Sequence, residues 1–158
     1  MSSITQRFIR DQLSPEQGWR LIEWCIKRGG DEFSFRSMSL GDSPAPHEPL
    51  TNALKPFHRR TPKRKNTTTL VGKEAQRPTV TWRLTTESAA VLRQHVAGGL
   101  FAAPSYSMAG WFEDFTIYRR SEIMLGVVSH ERLIALHLTN QEHGEFSELK
   151  IASHESAN

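Results

Sequence analysis

Residues 114–139 read DFTIYRRSEIMLGVVSHERLIALHLT, and this stretch decides the fold. It holds three strand-like runs, DFTIYR, EIMLGVVS and RLIALHLT, parted by short RSE-like and HE-like turns. Connections this short leave no room for a crossover, so neighbouring runs pair antiparallel and form a meander. The middle run is apolar on both faces, which marks a central strand. In the last run Ile134, Leu136 and Leu138 alternate inward while His137 points outward.

Upstream, TVTWRLT (79–85) has the cleanest alternation in the chain. Val80, Trp82 and Leu84 face one way, and Thr79, Thr81 and Arg83 face the other. TTESAAVLRQHVAGG (85–99) then predicts a helix with Thr85 or Thr86 as its cap, Glu87 in the first turn and Gly98 as its stop. Val91, Leu92 and Val96 form its apolar stripe, with His95 at the edge as a core-edge residue. Near the start, SPEQGWRLIEWCIKRGG (14–30) predicts a second helix. Ser14 and Gln17 form a capping box, Pro15 fits the first turn, and Gly29 or Gly30 supplies the left-handed stop. At 100° per residue, Trp19, Leu21, Ile22, Cys25 and Ile26 share one broad face bordered by Trp24. Arg20, Glu23 and Lys27 point away from it. DEFSFRSMSL (31–40) alternates at Phe33 and Phe35 as a strand does. NQEHGEFSELK (140–150) is polar and forms a helical turn or two.

This order of elements predicts an α+β domain: a mostly antiparallel sheet of about five strands, with two main helices packed on one face. Residues 1–158 form a single domain. Within it, residues 41–78 are a Pro-rich, basic excursion in which TLVG near Leu70 could be a short strand, and residues 150–158 are a frayed tail.

A chain of 158 residues suits one hydrophobic core. No run approaches the roughly 18 apolar residues of a membrane span. The start, MSSITQRFIRDQLSPEQ, has no apolar core of a secretory signal, and Cys25 is the only cysteine, so the cytoplasm is the expected location. One cysteine allows neither an intrachain disulfide nor a zinc site of paired thiolates, and no cofactor is expected. Residues 41–84 carry nine basic and three acidic groups, whereas 110–158 carry four and eight. The six cations between Lys55 and Lys65 alone make the chain basic, since its net charge of +3 becomes −3 without them.

Three groups of residues could carry a function. Trp111, Phe112, Phe101 and Tyr106 cluster where secondary-structure signals are weak, and loop aromatics of this kind anchor protein interfaces or plug a loop onto the core. Lys55, Arg59, Arg60, Lys63, Arg64 and Lys65 could neutralise nucleic-acid phosphates, with Phe57 and His58 stacking on exposed bases; without a readout module, such a run is also an ordinary solvated loop. His130, Glu131, His137, Glu142, His143 and Glu145 are suitable metal ligands or general bases, although they lack HExxH or facial-triad spacing. There is no GxSxG elbow, both Gly pairs end helices instead of opening them, and Cys25 falls on a buried helix face. Glu113 and Asp114, adjacent in a strand, would point to opposite faces.

The expected function is therefore a non-enzymatic interaction protein whose partner is another protein. Nucleic-acid binding through residues 55–65 is the alternative, and a metal-dependent enzyme the second alternative.

Overall fold

The computed structural model describes residues 4–10, 12–38, 48–59, 80–96, 101 and 111–155; for Ile4, Ser37, Met38, Glu48, Trp111, Phe112 and His130 it describes the backbone alone. Among the described residues the chain is α+β, with an antiparallel sheet of eight strands and four helices. The strands are β1 (Ile4–Ile9), β2 (Glu32–Met38), β3 (His58–Arg59), β4 (Thr81–Arg83), β5 (Trp111–Arg119), β6 (Glu122–Val128), β7 (Leu133–Thr139) and β8 (His154–Glu155). The helices are α1 (Pro15–Lys27), α2 (Glu48–Leu54), α3 (Thr86–His95) and α4 (Asn140–Ser147). Across the sheet the order is β3-β4-β2-β5-β6-β7-β1-β8, eight strands where about five were expected.

The meander is β5-β6-β7, as its turns require. Arg120 and Ser121 close the first hairpin with φ of 50° and 74°, the left-handed pair that a two-residue type I′ loop demands. Neither residue favours that region. Replacing Arg120 by Asn and Ser121 by Gly should raise the unfolding free energy by about 1 kcal/mol. Urea titration should show a higher midpoint at unchanged slope.

The extra strands are the ones whose own residues carry little strand signal. In β1, ITQRFI mixes polar and apolar residues on both faces, yet it pairs with β7 along its whole length, from Ile4↔Thr139 to Ile9↔Ile134. The two residues of β8 pair with Arg7 and Phe8 of β1, so the tail is built into the sheet at that point and not frayed. The expected strand around Trp82 contributes only Thr81–Arg83 to the ladder, and Val80 is 45% exposed instead of sharing the buried face of Trp82 and Leu84. The stretch 48–54, inside the excursion, is a helix that buries Leu50 and Leu54. TLVG lies outside the described residues.

Register organises the core. One row crosses all eight strands as His58, Trp82, Phe33, Ile117, Leu125, Leu136, Arg7 and Glu155. Its five apolar members belong to one buried cluster, to which all four helices also contribute, through Trp19, Leu21, Ile22, Leu54, Leu92 and Phe146 among others. The adjacent row points to the opposite face and is small or polar across the four central strands, as Ser34, Thr116, Gly126 and Ala135, before it reaches Phe8 of β1. Ser34 Oγ lies 3.0 Å from the Tyr118 hydroxyl on that side.

The helices begin as their sequences dictate, whereas α3 ends at His95 with Val96 as its C-cap, and the expected stop at Gly98 lies outside the described residues. At α1 the Ser14 hydroxyl accepts from the Gln17 N–H (3.2 Å) and the Gln17 side chain accepts from the Ser14 N–H (3.0 Å). Gly29, at φ +86°, supplies the left-handed stop. Thr85 caps α3, and Thr139 caps α4 through the same reciprocal pairing with Glu142. In α3, Leu92 and Val96 are buried and Val91 is half-buried, while His95 is exposed and not a core-edge residue.

Candidate protein-binding groove

The aromatic group divides. Trp111 and Phe112 open β5 opposite Met38 and Ser37, so they are strand residues and not part of a weakly structured loop; their side chains and all of Tyr106 lie outside the described residues. Phe101 is half-buried, with its ring edge-on to Phe115 at 6.0 Å. The ring also lies over Gly18, where a Cβ would come within 2.7 Å of it, so α1 keeps a glycine where this aromatic packs.

Of the basic run, Lys55 is exposed and Arg59 is ion-paired to Glu32 at 3.2 Å. Arg60, Lys63, Arg64 and Lys65 lie outside the described residues. Phe57 packs partly against the core, and His58 is exposed.

The His and acidic residues, close in sequence, are separated by the sheet. His137 shares the face of Gln6, whose side-chain nitrogen is 3.0 Å from the imidazole. Burial lowers its pKa, against opposing contributions from the Ile123 backbone and Glu122. His143 lies on the helix-covered side, where the Arg7 guanidinium donates to its Nδ1 at 3.1 Å. Arginine can only donate, so this contact requires the neutral Nε2–H tautomer. Glu145 pairs with Arg28 at 2.5 Å, and Glu142 pairs with Arg119. Burial pushes the Glu142 carboxyl up, but hydrogen bonds from Arg119 and the Thr139 N–H, with the Arg119 charge, hold it below its ordinary value. Glu131 is exposed, and the His130 side chain lies outside the described residues. Among the described residues no three such groups are placed to hold a metal ion. Burial also pushes the Cys25 thiol far up, so it stays an inert packing group.

Glu113 and Asp114 depart from simple alternation because the β2–β5 register slips between Ser34 and Arg36. Asp114 adopts φ +54°, and its N–H donates to the Ser129 hydroxyl at 2.8 Å. Its carboxylate is 3.4 Å from Arg36, the ladder partner of the buried Glu113. The bulge thus turns the second acid toward the strand position that the first acid faces.

Among the described residues an opening lies between α1 and α3. The helices run antiparallel: Arg93 near the end of α3 pairs with Glu16 at the start of α1 (3.2 Å), and its guanidinium lies 5.8 Å from the Trp19 ring. Between them is a groove of about 320 Å³ lined by Trp19, Ile22, Ile26, Ala89 and Ala90, with Glu23, Lys27, Thr86 and Arg93 around it. Two alanines opposite Trp and Ile leave this space open. Glu23 and Lys27, one turn apart, have no ion-pair partner among the described residues. The amphipathic pattern of α1 marked Trp19, Ile22 and Ile26 as one apolar face, whereas Ala89 and Ala90 of α3 were not singled out. Their juxtaposition was not legible, because no local pattern says which helices are neighbours. No described helix is long and apolar enough to cross a membrane. Compared with known proteins, the chain matches no family model, no curated protein and no solved structure.

Proposed function

We propose that this chain is a non-enzymatic interaction domain that binds another protein, and that the groove between α1 and α3 receives a helical segment of that partner. The groove is the observation that carries the reading. Two antiparallel helices with an apolar furrow between them offer the ridges against which a third amphipathic helix packs. A cleft at the low end of the roughly 300–1,000 Å³ range of ligand pockets holds a few aliphatic side chains. Glu23 and Lys27, exposed on its border and without an ion-pair partner among the described residues, favour a partner helix carrying a cation and an anion in matching positions.

Ala90 is exposed and lines this groove, so arginine there should block it at little cost to α3, in which arginine is a good helix former. Ala90→Arg should weaken binding by more than about tenfold while leaving thermal stability within about 0.5 kcal/mol. The check is affinity capture with nuclease treatment, using wild type and variant side by side, followed by direct titration of a helical peptide from the captured protein. Equal capture by both chains would remove the groove from the reading. Loss of all capture on nuclease treatment would favour nucleic acid instead.

A further inference from the structure

We propose that residues 151–155 are an exchangeable segment, and that their alternative partner is β1 of a second copy of this chain. The product is a dimer in which each copy contributes β8 to the other's sheet. This contact is independent of the α1–α3 groove.

Among the described residues, few contacts hold the segment. Its ladder consists of Arg7↔Glu155 and Phe8↔His154, and both β8 side chains are exposed. Arg7 provides most of the remaining attachment, with Nε donating to the Ser153 hydroxyl at 2.6 Å and Nη1 lying 3.9 Å from Glu155. Ile151 inserts into the core. Every one of these contacts can form identically with Arg7, Phe8 and the core of another copy, because the receiving surface is the same. A swapped dimer therefore sacrifices no contact of β8, and its stability relative to two monomers rests on the hinge and on concentration.

The hinge is strained in the direction that favours opening. Lys150 lies between the turn after α4 and the segment, exposed, at φ +54°. A lysine there bears the left-handed penalty of a non-glycine residue. An extended hinge removes the penalty at the loss of one hydrogen bond, from the Lys150 N–H to the Ser147 carbonyl at 3.2 Å.

The test uses the full chain and two hinge variants. Lys150→Pro fixes φ near −65° and cannot adopt the closed hinge, so it should raise the dimer-to-monomer ratio at least about tenfold. Lys150→Gly removes the strain from the closed form and should lower that ratio severalfold. Light scattering on size-separated protein, concentrated to the millimolar range and gently warmed, reads the ratio. Exchange is identified by mixing a Phe8→Cys chain with a His154→Cys chain, both carrying Cys25→Ala. An interchain disulfide in the dimer peak shows the swap, since these two positions are ladder partners. A dimer without that disulfide, or no dimer in wild type and Lys150→Pro alike, overturns the proposal. Should Lys150→Pro fail to fold, wild type against Lys150→Gly and the mixed cross-link decide the matter alone.

Discussion

Replacing Trp82 by alanine should lower the unfolding free energy by about 4 kcal/mol. Trp82 is only 4% exposed, and its ring is stacked with Phe35 at 4.7 Å and with Phe33 at 5.6 Å. Both phenylalanines belong to β2, whereas Trp82 sits in the three-residue β4. So short a strand makes few ladder hydrogen bonds, and the aromatic stack is what fastens β4, and β3 beyond it, to the sheet. The loss should accordingly be uneven. Amide exchange should quicken first at residues 58–59 and 81–83, and later in the meander. Trp82→Phe retains a ring in the stack and should cost less than half as much. A loss below about 1.5 kcal/mol on Trp82→Ala would mean that the sheet edge is held by something other than this stack.

Arg119→Ala should cost about 3–4 kcal/mol at neutral pH, because it strands a buried carboxylate. Arg119 is the last residue of β5; it donates to Glu142 on α4 and, at 3.2 Å, to the Arg28 carbonyl that closes α1. Glu142 has 9% of its side chain exposed and also accepts from the Thr139 N–H at 2.8 Å, so one carboxylate joins the cap of α4 to the end of the first hairpin. Exchanging both partners for apolar residues of similar size, as in Arg119→Met with Glu142→Leu, should recover much of the loss. The pH dependence follows from the depressed Glu142 carboxyl. The unfolded chain takes up this proton first, so the contribution is complete above the ordinary carboxylate value of about 4.3 and is lost as pH falls through the lower folded value. Urea midpoints between neutral pH and pH 3 should fall in wild type and fall less in Glu142→Gln. Parallel profiles would show that Glu142 is not responsible for the acid sensitivity.

The meander, the caps of α1 and α3, and the apolar face of α1 were legible because each depends on residues a few positions apart. A turn of two residues leaves its strands no choice but to pair, and Ser14 finds Gln17 whatever the rest of the chain does. The alternation around Trp82 located that strand, though not its length, since Val80 has no ladder partner among the described residues. In the His and acidic group, proximity in sequence misled: a strand sends His137 to one side of the sheet while the helix after it carries His143 and Glu142 to the other, where Arg7 donates to the imidazole and Arg119 pairs with the carboxylate.

What only the tertiary structure decided is everything that joins distant segments. β1 becomes a strand because β7 presents a free edge along its length, not because ITQRFI favours one, and β8 in turn needs β1. The groove exists because two alanines of α3 fall opposite Trp19 and Ile22, about 70 positions away. The sequence by itself determined the meander, the two main helices and the caps that start them, since hydrogen bonds and side-chain periodicity within a dozen residues settle those. Which pieces become neighbours depends on burying apolar surface across the whole chain. That long-range term made an eight-stranded sheet from the expected five strands and placed an open furrow between two helices.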